Sequence, residues 1–153
     1  MRKLLLLPLA LWACGGAKDQ QAETAAMTPA ALSAADVTGT WTGATTVPAD
    51  STRNNTWTAW VTANAAGGID GKIVSSSAPN DTVAFTTTIS GDSITSVSAA
   101  FTPAGAPAGA PQMTWTSVGR TSGGGAWSGT AVWMNAGSDS VVQAGTWVAT
   151  RTP

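Results

Sequence analysis

Histidine and tyrosine are absent from this 153-residue chain, and cysteine occurs once. Without histidine, no Ser-His-Asp triad can form. A single cysteine excludes an internal disulfide and any zinc site built from several thiolates. Charge is also scarce: charged residues make up 10% of the chain, and the formal net charge is −1. No basic footprint for nucleic acid is present. The carboxylates Asp36, Asp50, Asp81, Asp92 and Asp139 fall at turns or strand ends, where local hydrogen bonding accounts for them. Asp70 opens a strand beside Ile69. No pair of carboxylates converges at general acid–base spacing. No glycine loop leads into a helix, so no phosphate cradle is implied, and "SGGG" at 122–125 reads as a hairpin turn. Neither enzymatic activity nor a metal or cofactor is expected.

Tryptophan, by contrast, is abundant, with eight residues. Its large ring and single donor suit it to cores and to the walls of apolar ligand sites. One of the eight lies in the N-terminal stretch "MRKLLLLPLALWAC". There Arg2 and Lys3 precede an apolar run from Leu4 to Trp12, followed by small Ala13 and then Cys14. The run is too short to span a bilayer and has the layout of a secretory signal. Leu11-Trp12-Ala13-Cys14 resembles the lipobox of bacterial lipoproteins. The resemblance implies cleavage after residue 13, acylation of Cys14 and anchoring in the cell envelope. Several acyl chains hold a protein on a membrane where one does not. Gly15 in place of aspartate implies sorting to the outer membrane. Loss of Arg2 and Lys3 would leave five basic against eight acidic side chains, a mild net −3. Residues 14–36 then read as a lipidated N-terminus and a flexible tether, small and polar with little to bury, in which "SAAD" can start a short helical turn.

From Val37 to Pro153 no stretch keeps a 3.6-residue apolar period. Thr, Val, Ile and Trp dominate, broken by Gly, Pro, Asn and Asp, which is the punctuation of an all-β domain. Eight strands are expected at 37–46, 56–63, 69–76, 82–89, 93–101, 112–119, 125–134 and 140–151. Consecutive strands with mostly short links predict an antiparallel up-and-down meander. Closure into an eight-stranded β-barrel removes both exposed edges. Side chains alternate along each strand, so Trp41 and Gly43, Val83 and Phe85, Val97 and Ala99 with Phe101, and Trp127 with Ala131 and Trp133 form the apolar set. If that set faced outward, the domain would be a small membrane barrel. Scattered tryptophans and many alternate Gly and Thr residues favour an apolar interior instead.

The tripeptide Gly-Thr-Trp opens the domain at 39–41 and recurs at 145–147, followed by Arg151. Gly39-x-Trp41 on the first strand with Arg151 on the last resembles the signature of the calycin group, which includes lipocalins and avidins. The resemblance implies that Gly39, Trp41, Trp127, Trp147 and Arg151 close one end of the barrel. First and last strands of such a barrel pair antiparallel, so Arg151 should fall beside Trp41, where a guanidinium gains a cation–π contact. "TGTW" at 38–41, "WSG" at 127–129 and "TWVAT" at 146–150 follow an avidin-like order. Thr42 and Gly43 stand where avidins carry polar ligand-binding residues, so the architecture and not the biotin site is carried over.

Loop lengths separate the two rims. The connections at 47–55, 77–81, 102–111 and 135–139 share one rim, which is the expected open end. Trp57, Val83, Phe85, Phe101, Met113, Trp115, Trp133 and Gln143 point inward near it. An apolar, aromatic concavity with few polar groups is the usual form of a small-molecule site. Gln143 is the polar side chain placed to orient a ligand, and Ala59, Ala99 and Ala131 leave room. Two functions are compatible with this pattern. The barrel either binds a small apolar or amphipathic ligand, or is packed solid and acts through its surface as an inhibitor or envelope-assembly protein. In the second case the rim loops or Trp60, which has the opposite parity from Trp57, would meet a protein partner.

Overall fold

The computed structural model describes residues 31–123 and 125–153. The leader, Cys14 and most of the tether lie outside the described residues. The chain forms a helical turn α1 (Ala34–Val37) and strands β1 (Gly39–Thr46), β2 (Asn55–Ala63), β3 (Ile69–Ser75), β4 (Ala78–Ser90), β5 (Ser93–Ser98), β6 (Met113–Gly123), β7 (Ala126–Asn135) and β8 (Val141–Arg151). Each strand pairs antiparallel with its sequence neighbour, and β1 pairs with β8 from Trp41–Arg151 to Thr46–Thr146, closing the barrel. No edge strand is left within it.

The apolar face is the inner one. Trp41, Ala59, Val61, Ile69, Phe85, Trp127, Ala131, Trp147 and Ala149 are buried inside and form one cluster with Val37. Threonine fills much of the outer face: Thr42 and Thr46 on β1, Thr62 on β2 and Thr86 and Thr88 on β4 are exposed. β-branched Thr suits a pleated wall that is half in water.

Several expectations need correction. Val37 is the last residue of α1 and not part of the first strand. The turn packs onto the barrel end: Val37 is buried, Leu32 and Ala34 pack on the core, and Leu32 N–H donates to Gly91 O. The tether therefore ends before residue 32. Residues 78–81 are strand, so β3 and β4 are joined by a tight turn and the open rim has one loop fewer. The largest correction concerns β5. Val97 and Ala99 face outward, with Val97 43% exposed, while Ile94, Ser96 and Ser98 face inward. The pairing with β6 slips by one residue between Val97–Thr116 and the isolated bridge Phe101–Met113. At the slip, the Ser98 hydroxyl accepts from Trp115 N–H in place of a ladder carbonyl. One extra residue inverts the phase, so Phe101 and Val97 have the same parity but opposite faces.

Candidate functional site

The interior is not filled by side chains. A cavity of about 1170 Å³ runs from Trp41 and Trp127 at the α1 end to a mouth lined by Arg53, Asn54, Asp81, Pro103 and Gln143. Its volume exceeds the range of about 300–1,000 Å³ common for small-molecule pockets. All eight residues assigned to the pocket, Trp57, Val83, Phe85, Phe101, Met113, Trp115, Trp133 and Gln143, line it. Trp41, Trp127 and Trp147 line it as well, so these three rings form its floor and wall rather than a separate solid plug.

Glycine explains how so many rings leave a void. A Cβ at Gly43 would overlap the Trp57 ring, and one at Gly71 would overlap Phe85. A Cβ at Gly119 would strike the Trp147 ring, and one at Gly129 would strike the Val118 carbonyl first and the Trp147 ring beyond it. In three of these the ring lies over its own cross-strand partner: Gly43 pairs with Trp57, Gly71 with Phe85 and Gly129 with Trp147. Indole donors are tied to the wall too. Trp57 Nε1 donates to Thr45 Oγ1 at 3.1 Å, and Trp147 Nε1 to the Thr130 carbonyl at 3.1 Å. An edge contact at 6.3 Å between Trp57 and Trp147, and a tilted contact at 5.5 Å between Phe85 and Trp115, brace the rings against one another.

The closed end is built differently. Trp41 and Trp127 meet edge to face at 6.3 Å, and Trp41 Nε1 donates to Val37 O at 2.8 Å. Arg151 Cζ lies 5.0 Å from the centre of the Trp41 ring. Arg151 Nη2 donates to the carbonyls of Ala35 and Asp36 at 2.8 and 2.7 Å, so the guanidinium ties α1 over the barrel end. Those are the last-turn carbonyls that a helix leaves without partners. Gly39 has φ +129°, and a Cβ there would meet the Arg151 side chain at 3.6 Å. Trp147 does not belong to this closure: it pairs with Thr45, higher on β1, and faces Trp57.

Charge is confined to the mouth. Arg53 and Asp81 are the charged residues among those lining the cavity. Arg53 Nε donates to Asp50 Oδ2 at 3.1 Å, and its Nη1 donates to Gln143 Oε1 at 2.6 Å, linking the β1–β2 connection to β8. Hydrogen bonding from the Thr52 hydroxyl, with smaller help from Arg53, holds the Asp50 carboxyl below the usual carboxylate range. Sequence reasoning identified Gln143 and missed Arg53. The available signal was that Arg53 is the sole basic residue between Lys18 and Lys72, three places after the capping residue Asp50.

A hydroxyl row on the inner wall was also missed. Thr87 on β4, Ser96 on β5 and Ser117 on β6 are cross-strand neighbours and line the cavity. The hairpin turn at Gly91-Asp92 held the missing signal. Residues equidistant from a two-residue turn face each other, and this sets Ile94 opposite Ile89 and Ser96 opposite Thr87.

Among the described residues no cluster of three or more His, Cys, Asp or Glu side chains is placed to hold a metal. No protein-family model matches the chain, and no curated protein matches it. Among solved structures the chain is similar to the crystal structure of a protein with unknown function from the DUF3598 family of Nostoc punctiforme, at 15% identity and a TM-score of 0.47. The likeness covers 80% of this chain and 50% of that one, so this chain spans about half the length of its neighbour.

Proposed function

We propose that this barrel binds a small apolar or amphipathic ligand through its open end, and that an acylated Cys14 holds it on the bacterial cell envelope at the outer membrane. The observation that supports binding is the cavity of about 1170 Å³, walled by tryptophan and phenylalanine and charged only at its mouth. An apolar molecule entering it exchanges water for ring faces, at roughly 25 cal/mol per Å² of apolar surface removed from solvent. The reading is of a binding protein, and Asp81 is the one carboxylate lining the cavity among the described residues.

Tryptophan fluorescence titrated with lipids and hydrophobic probes tests the binding. A saturable response altered by Trp115→Ala and Trp133→Ala is expected; no saturable response to any of the probes would reject it. The anchor is tested by Cys14→Ser, which should release the protein from membranes and remove the acyl mass. Unchanged membrane retention and mass would rule acylation out.

A second reading rests on the outer wall. Trp60 is 46% exposed, with Thr40 and Lys72 opposite it on the flanking strands. A large exposed ring on a strand suits a protein contact. A photocrosslinker at position 60 that captures no envelope protein would remove this reading.

A further inference from the structure

Deep in the barrel, the wall is not uniformly apolar. Thr87 and Ser96 are 5% and 6% exposed, and their hydroxyl oxygens lie 2.8 Å apart. Both residues line the cavity, with Ser117 beside Ser96 across the β5–β6 ladder. On the closed side of the row lies the Ile89–Ile94 pair. Toward the mouth lies the Phe85–Trp115 pair, at 5.5 Å. The hydroxyls are thus a polar ring segment set between two apolar layers.

Proton counting makes this row informative. Each hydroxyl carries one proton and two acceptor lone pairs. Either Thr87 or Ser96 donates to the other. Whichever donates, the second proton has no acceptor among the described residues, and the same holds for the Ser117 proton. An apolar ligand that covered these donors without an acceptor of its own would leave them unmade, at about 1–3 kcal/mol each, a cost that an all-aliphatic layer at this level would avoid. Among the described residues no charged side chain lines the cavity at this depth: Arg53 and Asp81 both sit at the mouth. A carboxylate or ammonium seated here would be desolvated without a partner.

Building on the ligand-binding reading, we infer that the Thr87–Ser96–Ser117 row is an oxygen-recognition subsite. The cavity takes a neutral, largely apolar molecule whose buried end carries a carbonyl, ether or hydroxyl oxygen. That oxygen accepts from the free hydroxyl proton of the Thr87–Ser96 pair, with Ser117 as the second donor. The remaining apolar body lies along the Trp57 and Trp147 faces.

The test uses a matched pair of flat probes, fluorenone and fluorene, which differ in one carbonyl oxygen. Each is titrated against the whole protein by tryptophan fluorescence and calorimetry. Fluorenone should bind about tenfold more tightly, the effect of one hydrogen bond to a donor that fluorene leaves unpaired. In the Thr87→Val/Ser96→Ala/Ser117→Ala variant, which removes every donor of the row, the preference should fall to about twofold or less. Equal affinities in the natural protein overturn the subsite and leave the pocket standing. A preference that survives the triple variant places oxygen recognition elsewhere and also overturns it. Saturable binding of neither probe rejects the pocket and this inference together. Dodecanoate tests the neutral requirement: tighter binding than 1-dodecanol would contradict it. The natural-protein comparison needs no variant, so a folding defect in the triple substitution does not shield the inference.

Discussion

The ring of Phe85 lies across the backbone of Gly71, its partner on the neighbouring strand, so closely that no Cβ fits at position 71. The same relation joins Trp57 to Gly43. In both pairs the first atoms met belong to the ring, not to backbone. A methyl group would therefore swing the ring off the wall and into the cavity. Gly71→Ala is expected to cost about 1–3 kcal/mol of stability, the usual range for overpacking. It should also lower ligand capacity, because the displaced ring occupies ligand space. Denaturant unfolding and fluorescence titration of the same variant check both effects. Full stability with unaltered binding would show that the ring does not depend on the glycine.

Arg151 joins three parts of the closed end: the Trp41 ring, α1 and the end of β8. A cation–π contact at an exposed site contributes about 0.5–1 kcal/mol, and hydrogen bonds from a charged donor about 1.5–3 kcal/mol. The side chain is exposed, so the lower part of their combined range applies. Arg151→Met should cost about 2 kcal/mol and speed amide exchange in α1 before exchange in the strands. Arg151→Lys should recover only part, because a single ammonium cannot span two carbonyls and lie flat on the indole. Uniform exchange across the whole chain would assign the loss to the barrel rather than to the tie.

The barrel itself was legible because its signals are local and redundant. Turn residues recur at short intervals, and Gly39, Trp41 and Arg151 mark the two strands that meet. The pocket residues followed from counting alternate positions inward from the same turns. Counting failed at β5, where apolar Val97 lies outside and Ser96 inside. Hydrophobicity favoured the wrong face there, and the one-residue slip near Ser98 hid the error by returning Phe101 to the interior. Arg53 escaped for another reason. Its 3-10 turn, Ser51–Arg53, has no periodicity, and its contact with Gln143 spans ninety residues.

Acid should loosen the closed end first. The Asp36 carboxylate accepts from both the hydroxyl and the backbone N–H of Ser33, and these bonds, with Arg151 nearby, hold its pKa below the usual range. A depressed folded-state pKa means that the folded protein binds protons more weakly than the unfolded chain. The contribution is complete above the unfolded carboxylate value of about 3.9 and is lost as pH falls through the lower folded value. Asp36→Asn should therefore flatten the pH dependence of α1 exchange below about pH 4. An identical acid profile in the variant would show that Asp36 has no part in it.

Arg53 and Gln143 place a polar strut at the mouth, closed by a 2.6 Å bond between the β1–β2 connection and β8. Asp50 holds the other side of the guanidinium at 3.1 Å. Both charged partners are about half exposed, so the ion pair adds little stability. The bond to Gln143 bears on entry instead, since a ligand passing the mouth must displace it or pass beside it. Arg53→Ala removes the strut and leaves the aromatic wall intact. Association and dissociation of a neutral apolar probe should both accelerate, while Kd changes by less than about threefold. Stopped-flow tryptophan quenching reads the two rates separately. A large loss of affinity with an unchanged association rate would make Arg53 part of the binding surface, and recognition would then lie at the mouth and not in the interior alone.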